Sequence, residues 1–466
     1  MTRFKNGDIL KIPKRPKNKG GKTMRKAKRF VALGLALVMS IMTLVGCSKG
    51  ESAGQAANAT EEDGALHLTF YYPVQVGGDV AKLIEKACNE FNAENPGIVV
   101  EPIYTGSYDD TVTKIQTAIQ GGTPPDVFVS LATQRYTMAS TGMAMPLDEL
   151  IAADEDGEEY IADFLPGFME DSYVDGQIYS IPFQRSTEIM YYNKDKFVEA
   201  GLDPESPPET WDELLEYAKK LTTDDCYGVG IALNSGSAQW TFTAYSLQNS
   251  ADGKQLMSED GQQVYFNTPE NVEALQFWLD LQNKHKVMAE GVVQWTDLPT
   301  QFLAGEVAMI YHTTGNMANI NSNAEFEFGT CFLPGNKQMG APTGGGNFYI
   351  SNGLSEERVQ AAWKFIRFMT ETDRAAQWSL DTGYVATRQS CFETDLIKDY
   401  FEEVPQAKVA YEQISVAKPE LTTYNASEIW RVLNDNIQSA VVGDATAEEA
   451  LENAQAEAED VLAEYQ

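Results

Sequence analysis

The stretch that decides the fold runs Leu66-His67-Leu68-Thr69-Phe70-Tyr71-Tyr72, then, after a gap, Val80, Ile84, Ala87, Cys88 and Phe91 at a spacing of 3.6. The first run is β-branched and aromatic and predicts a strand. The second set predicts an amphipathic helix, stopped by Asn95-Pro96-Gly97. Ile98 to Tyr104 predicts a second strand. Val112, Ile115 and Ile119 mark a second helix ended by Gly121-Gly122, and Pro124-Pro125 leads into a third strand, Asp126-Val127-Phe128-Val129. Strand, helix, strand, helix, strand is a βαβ pattern, so the sheet is expected to be mainly parallel and the class α/β.

Upstream lies a different kind of segment. Arg25, Lys26, Lys28 and Arg29 precede an apolar run from Phe30 to Leu44, which ends in Leu44-Val45-Gly46-Cys47. A basic region, a short apolar region and a small residue before a cysteine make a bacterial lipoprotein signal, with Cys47 the lipidated residue. The run is short for a membrane span; an uncleaved signal anchor is the alternative. Residues 1–46 are expected to be removed. Gly20-Gly21 is also the in-frame reading of a purine-rich ribosome-binding site before Met24, which makes Met24 an alternative start. Ser48 to Gly64 is small, polar and without periodicity, so residues 47–64 read as a tether between lipid and domain.

Residues 1–46 hold 12 of the 35 Lys+Arg and 1 of the 68 Asp+Glu, leaving 23 basic and 67 acidic residues and a formal net charge of −44 on the 420 that remain. Nucleic acid is a poor partner for such a surface, and an anionic bilayer repels it, so the lipid must anchor it. Cys88, Cys226, Cys331 and Cys391 are far apart, without Cys-x-x-Cys or nearby His pairs. No metal site is expected; disulfides stay open, and Cys88 reads as a small core residue.

Downstream, Ile178 to Phe183 and Glu188 to Tyr192 predict two short strands, and Val307 to Tyr311 another. Thr210-Trp211-Asp212-Glu213 is a capping box opening a helix. Thr268-Pro269 opens a second, Val359 to Met369 line a third, and Thr446 to Glu464 form an acidic terminal helix. Of the three histidines, none sits in a hydrolase or metalloprotease motif. His312, between a strand and a Gly-containing turn, reads as structural or as a ligand contact. Gly344-Gly345-Gly346 could offer amides to an anion or form a plain turn before a strand.

Phe91-Asn92-Ala93-Glu94-Asn95-Pro96-Gly97, Gly121-Gly122-Thr123-Pro124-Pro125-Asp126-Val127 and Gly142-Met143-Ala144-Met145-Pro146-Leu147 resemble the extracellular solute-binding proteins (family 1) of bacterial ABC importers. So do Tyr191-Tyr192-Asn193-Lys194, Pro207 to Leu214 and Phe302 to Met309, and the resemblance spans roughly Leu66 to Leu462. It implies a periplasmic-binding-protein-like fold: two lobes with mainly parallel sheets joined by a hinge, with the ligand in the interlobe cleft. With crossings placed near Tyr173, Ala308 and Leu354, lobe 1 is 65–172 and 308–354, and lobe 2 is 173–307 and 355–466.

Within the family the chain most resembles the type that binds sn-glycerol 3-phosphate and glycerophosphodiesters, through Gly106-Ser107-Tyr108, Pro182 to Thr187, Thr313 to Asn316, Gly344-Gly345, Thr382-Gly383-Tyr384 and Trp430-Arg431. The resemblance implies ligand contacts from Tyr108, Ser186, Thr313, Gly345, Tyr384 and Arg431, with Arg431 on the phosphate. Arg is a rigid donor fork matched to phosphate oxygens; on its own helix it could equally pair with Glu428. Ala132 stands where the family has an acidic residue that accepts from glycerol hydroxyls, and Trp240, near Ser237, stands close to where it has a tryptophan. Implied with these are an ABC permease as partner, a monomer without cofactor, no catalysed reaction, and a place on the outer side of the membrane of a Gram-positive-type bacterium. A sugar ligand is the alternative within the family. A secreted carbohydrate-active enzyme with a carboxylate pair, or a surface scaffold, are the alternatives outside it.

Overall fold

The computed structural model describes residues 64–466, apart from 75, 77–78, 234–236 and 253–255. The expected leader 1–46, Cys47 and the tether up to residue 63 lie outside the described residues. The opening pattern folds as its periodicity dictates. Strands β1 (Leu66–Pro73), β2 (Ile98–Gly106) and β3 (Val127–Leu131) are parallel, with Leu66 opposite Ile98 and Phe70 opposite Val127. Helix Val80–Glu94 buries Val80, Ile84, Cys88 and Phe91 against them. Helix Tyr108–Gln120 starts on a capping box between Ser107 and Asp110.

The later strands depart from the parallel expectation. After the small hairpin β4 (Tyr173–Val174) and β5 (Gln177–Ile178) come β6 (Ile181–Asn193), β7 (Met309–Thr313), β8 (Phe328–Cys331), β9 (Ala341–Ile350) and β10 (Ala417–Lys418). The main sheet runs β2-β1-β3-β9-β6-β7, with β8 on β6 and β10 on β9. β3 with β9, β9 with β6, and β6 with β7 and β8 are all antiparallel. The sheet is therefore mixed, parallel only across its first three strands and at β10. The two short strands expected at Ile178–Phe183 and Glu188–Tyr192 are one strand. The polar run Gln184-Arg185-Ser186-Thr187-Glu188 looks like a break, yet every residue of β6 is buried; Gln184, Arg185, Thr187 and Glu188 each make at least one side-chain hydrogen bond inside the molecule, while Gln184 Nε2, Arg185 Nε and Glu188 Oε2 have none among the described residues.

Two large apolar cores flank β6 and β9. In the first, Phe365 meets Phe70 and Phe91 edge-on, each at 5.2 Å. The second gathers Trp211, Tyr245, Trp278, Tyr311, Leu433 and Leu451. Ile181 and Phe183 belong to the first and Met190 and Tyr192 to the second; Ile350 and Ala341 divide in the same way. The chain thus crosses between lobes inside β6 and β9. The expected crossings lie near Tyr173, Ala308 and Leu354. Around them, Ile178, Ile181 and Phe183 pack in the first core, Ala308, Tyr311 and Leu333 in the second, and helix Glu356–Met369 returns to the first. The crossings sit in extended, buried backbone with no composition break.

Helix Trp211–Leu221 carries its Thr210/Glu213 capping box, and the terminal helix Ala447–Leu462 is capped by Thr446 and Glu449. Cys88, Cys226, Cys331 and Cys391 are free thiols. Among the described residues, no helix is long and apolar enough to cross a membrane.

Candidate functional site

A cavity of about 700 Å³ opens where the crossing strands separate the two cores. Its lining includes Tyr108 from the first core, Trp430 from the second, Leu131 packed against both, Ser186, Gly344 and Gly345 from the crossing strands, and Trp240, Trp295, His312, Thr313 and Tyr384. Tyr108, Ser186, Thr313, Gly345, Tyr384, Trp240 and His312 are therefore brought together on one wall system, although they span most of the chain.

Arg431 and Ala132, expected as ligand contacts, are not on that wall. Arg431 lies on the outer face of helix Ala426–Val441, half exposed. Its Nε and Nη2 donate to Glu428 at 3.0 and 2.6 Å, and its Nη1 to Asp435 at 2.8 Å. These are i,i+3 and i,i+4 pairs on one helix face. One position earlier, Trp430 turns inward and donates its Nε1 to the Leu421 carbonyl at 2.8 Å. The helical phase carries this distinction: Trp430, Leu433 and Ile437 share the buried stripe, and Glu428, Arg431 and Asp435 the outer one. Ala132 is buried at the start of the turn after β3, and Leu131 reaches the cavity instead.

The triple glycine is part of β9 rather than a turn before a strand. A Cβ on Gly344 would lie 2.7 Å from the Trp240 ring, so its absence lets the indole lie on the strand. There Trp240 Nε1 donates to the Thr343 carbonyl at 2.9 Å. Tyr108 donates to Gln184 Oε1 at 3.0 Å. Burial pushes the phenols of Tyr108 and Tyr384 well above their ordinary value, so both stay neutral hydroxyls.

The lining contains no Lys or Arg among the described residues, but it does contain Asp109 at the rim and Glu420 deep inside. Burial pushes Glu420 up to about 8. His312 stacks on Trp295 with ring centroids 3.8 Å apart. Asn316 Nδ2 donates to its Nδ1 at 3.3 Å, so Nε2 is the protonated nitrogen, donating to the Trp295 carbonyl at 3.2 Å. Burial lowers its pKa to about 3. His312 is thus a neutral, fixed wall residue. Proton NMR is expected to show no titration of its ring between pH 5 and 8. In the unfolded chain the imidazole titrates near 6.5. Its depressed folded pKa therefore contributes stability that is full above pH 6.5 and is lost as pH falls toward 3.

Behind the cavity floor, Asp171 sits between two buried guanidinium groups. Arg135 Nη1 donates to its Oδ1 at 2.6 Å and Arg185 Nη2 to its Oδ2 at 2.7 Å, while Arg185 Nη1 donates to Asn347 Oδ1 at 3.0 Å. This cluster ties β6 to β9 beneath Ser186 and Gly345. Sequence reasoning missed it, and it also missed Trp295, Trp430 and Glu420 as lining residues.

Two α/β lobes joined by extended crossing strands, with an aromatic and polar cavity between them, make a receptor for a small solute. The chain belongs to the bacterial extracellular solute-binding protein family, whose model matches residues 86–405; such proteins work outside the cytoplasm as the solute-binding part of an ABC importer. It is similar to the sn-glycerol-3-phosphate-binding periplasmic protein UgpB of Salmonella typhimurium, 27% identical over 448 residues, covering 91% of this chain and 95% of that one. Among solved structures it resembles UgpB from Mycobacterium tuberculosis in complex with glycerophosphocholine (25% identity, TM-score 0.75, 85% and 98% covered). Maltose-bound MalE3 of T. maritima matches equally well (26% identity, TM-score 0.75, 85% and 99% covered).

Proposed function

We propose that this protein is a monomeric receptor, held to the outer face of the membrane by lipid on Cys47, that captures a neutral polyhydroxy ligand of the sugar type. It closes over the ligand and delivers it unchanged to the permease of an ABC importer. The observation that carries the ligand class is the wall itself: three indoles and two phenols, with carboxylates and no lining cation among the described residues. Sugars present apolar C–H faces that pack on aromatic rings and hydroxyls that donate to carboxylates. A phosphate monoester would meet hydroxyls and amides here but no guanidinium fork. The likeness to maltose-bound MalE3 supports this reading.

A second reading has its own support. The UgpB relatives favour a glycerophosphodiester, whose single negative charge the hydroxyls of Ser186, Thr313 and Tyr384 and the Gly345 amide could meet. Calorimetry with maltose, glycerophosphocholine and glycerol 3-phosphate separates the readings. Binding of maltose is expected, and Trp430→Ala should weaken it by about 2–3 kcal/mol, roughly 30- to 150-fold, as for a buried aromatic anchor. Arg431→Ala should leave it unchanged. Binding of glycerol 3-phosphate without any sugar, abolished by Arg431→Ala, would overturn the sugar reading.

The anchor is checked separately. Expressed in a bacterial host, the protein is expected to take up a fatty-acid label, and Cys47→Ala is expected not to. Equal labelling of both forms, or of neither, would remove the lipid from the proposal.

A further inference from the structure

Glu420 follows β10, on the loop that leads to helix Ala426–Val441, and it faces the cavity while only 5% exposed. Its carboxylate is held from one side. Gln239 Nε2 donates to Oε1 at 3.3 Å. The orientation of Gln239 is itself imposed, because Asn434 Nδ2 donates to Gln239 Oε1 at 2.8 Å and Asn434 Oδ1 accepts from the Gln239 backbone N–H at 2.8 Å. The side-chain oxygen of Gln239 is thus occupied, and its nitrogen is turned to Glu420. The second carboxylate oxygen, Oε2, has no hydrogen-bond partner among the described residues. A relay of three side chains from two helices and a loop therefore presents one carboxylate oxygen to the ligand space.

We propose that Glu420 is the specificity-determining carboxylate of this cleft: its Oε2 accepts a hydrogen bond from a donor on the ligand, a hydroxyl or an ammonium group, and rejects an anionic group at that position. This rests on the reading that the cavity between the lobes is the ligand site.

The surroundings make the contact sensitive to protonation. Burial is the largest influence on Glu420 and raises its pKa; Asp171 and Glu188 raise it further, while the Gln239 amide and the Arg185 guanidinium lower it. The neighbouring Tyr108 phenol is neutral. A ligand donor stabilises the ionised form, so binding expels the proton and the affinity rises with pH up to about 8. An anion requires the protonated form and shows the opposite trend.

The test is calorimetry with maltose and with glycerol 3-phosphate, from pH 6 to pH 8, on the wild type, Glu420→Gln and Trp430→Ala. The expected maltose affinity of the wild type rises roughly tenfold across that range. Glu420→Gln is expected to bind maltose at least about tenfold more weakly at pH 8, with a flat profile. Any glycerol 3-phosphate binding is expected to be tighter in Glu420→Gln than in the wild type. A packing role alone would weaken the variant without removing the pH profile. Wild-type maltose affinity and profile in Glu420→Gln would overturn the proposal, as would binding of neither probe by either protein. If Trp430→Ala weakens maltose binding and Glu420→Gln does not, the cleft stands as the site and only the role of Glu420 falls. If neither variant affects it, the cleft reading falls as well.

Discussion

Asp171→Ala is expected to destabilise the folded protein by about 3–5 kcal/mol, the range for breaking a buried ion pair from one side. Asp171 is 1% exposed and serves two guanidinium groups, from Arg135 and from Arg185, the latter wholly buried. Removing the carboxylate leaves both cations in an environment that water does not reach. Among the described residues, Arg185 retains only the Asn347 oxygen and the face of Phe168, 4.9 Å from its guanidinium carbon. The consequence reaches the site, because Arg185 is paired across the strands with Gly345 and precedes Ser186. Urea unfolding monitored by tryptophan fluorescence measures the loss. A midpoint near that of the wild type would mean that the cluster contributes little, and that β6 and β9 are held by their backbone ladder alone.

Gly345→Ala is expected to have an effect of similar size for a different reason. Gly345 sits in β9 with φ of +91°, and a Cβ there would lie 1.8 Å from the Gln184 carbonyl oxygen and 3.1 Å from Arg185 Cα. Both are backbone atoms of the neighbouring strand, so no rotamer change relieves the contact. Left-handed backbone at a non-glycine residue costs about 1–3 kcal/mol, and overpacking a close contact adds about 1–3 kcal/mol more. The two together come to roughly 2–6 kcal/mol, with the strands forced apart at the cavity floor. Gly176→Ala is the comparison: φ is +80° there and nothing lies within 4 Å, so only the backbone cost applies. If both variants unfold at the same urea concentration, the close approach of β6 to β9 is not what requires glycine at 345.

The contrast between Trp430 and Arg431 shows how far the chain could be read locally. Both residues were visible as a motif, but resemblance pointed to the charged one, because an arginine beside a phosphate is good chemistry. Helical phase puts the two on different faces. The indole shares a stripe with Leu433 and Ile437, and the guanidinium shares one with Glu428 and Asp435. In the same way the polar run of β6 reads as a break between strands, until its partners are supplied by β9, about 160 residues away.

Local pattern was enough for whatever repeats within an element: the strand–helix–strand opening, the buried stripe of Val80, Ile84, Cys88 and Phe91, and the capping box at Thr210. The sequence also marked Tyr108, Ser186, Thr313, Gly345 and Tyr384, all of which reach one cavity. The tertiary structure alone decided the antiparallel half of the sheet, the lobe boundaries and the chemistry of the cleft wall. Periodicity records only which face of an element is apolar. Gln239 and Glu420 meet across 181 residues and Arg135 and Asp171 across 36, and no local pattern marks a buried charge whose partner is brought to it only when the chain has folded.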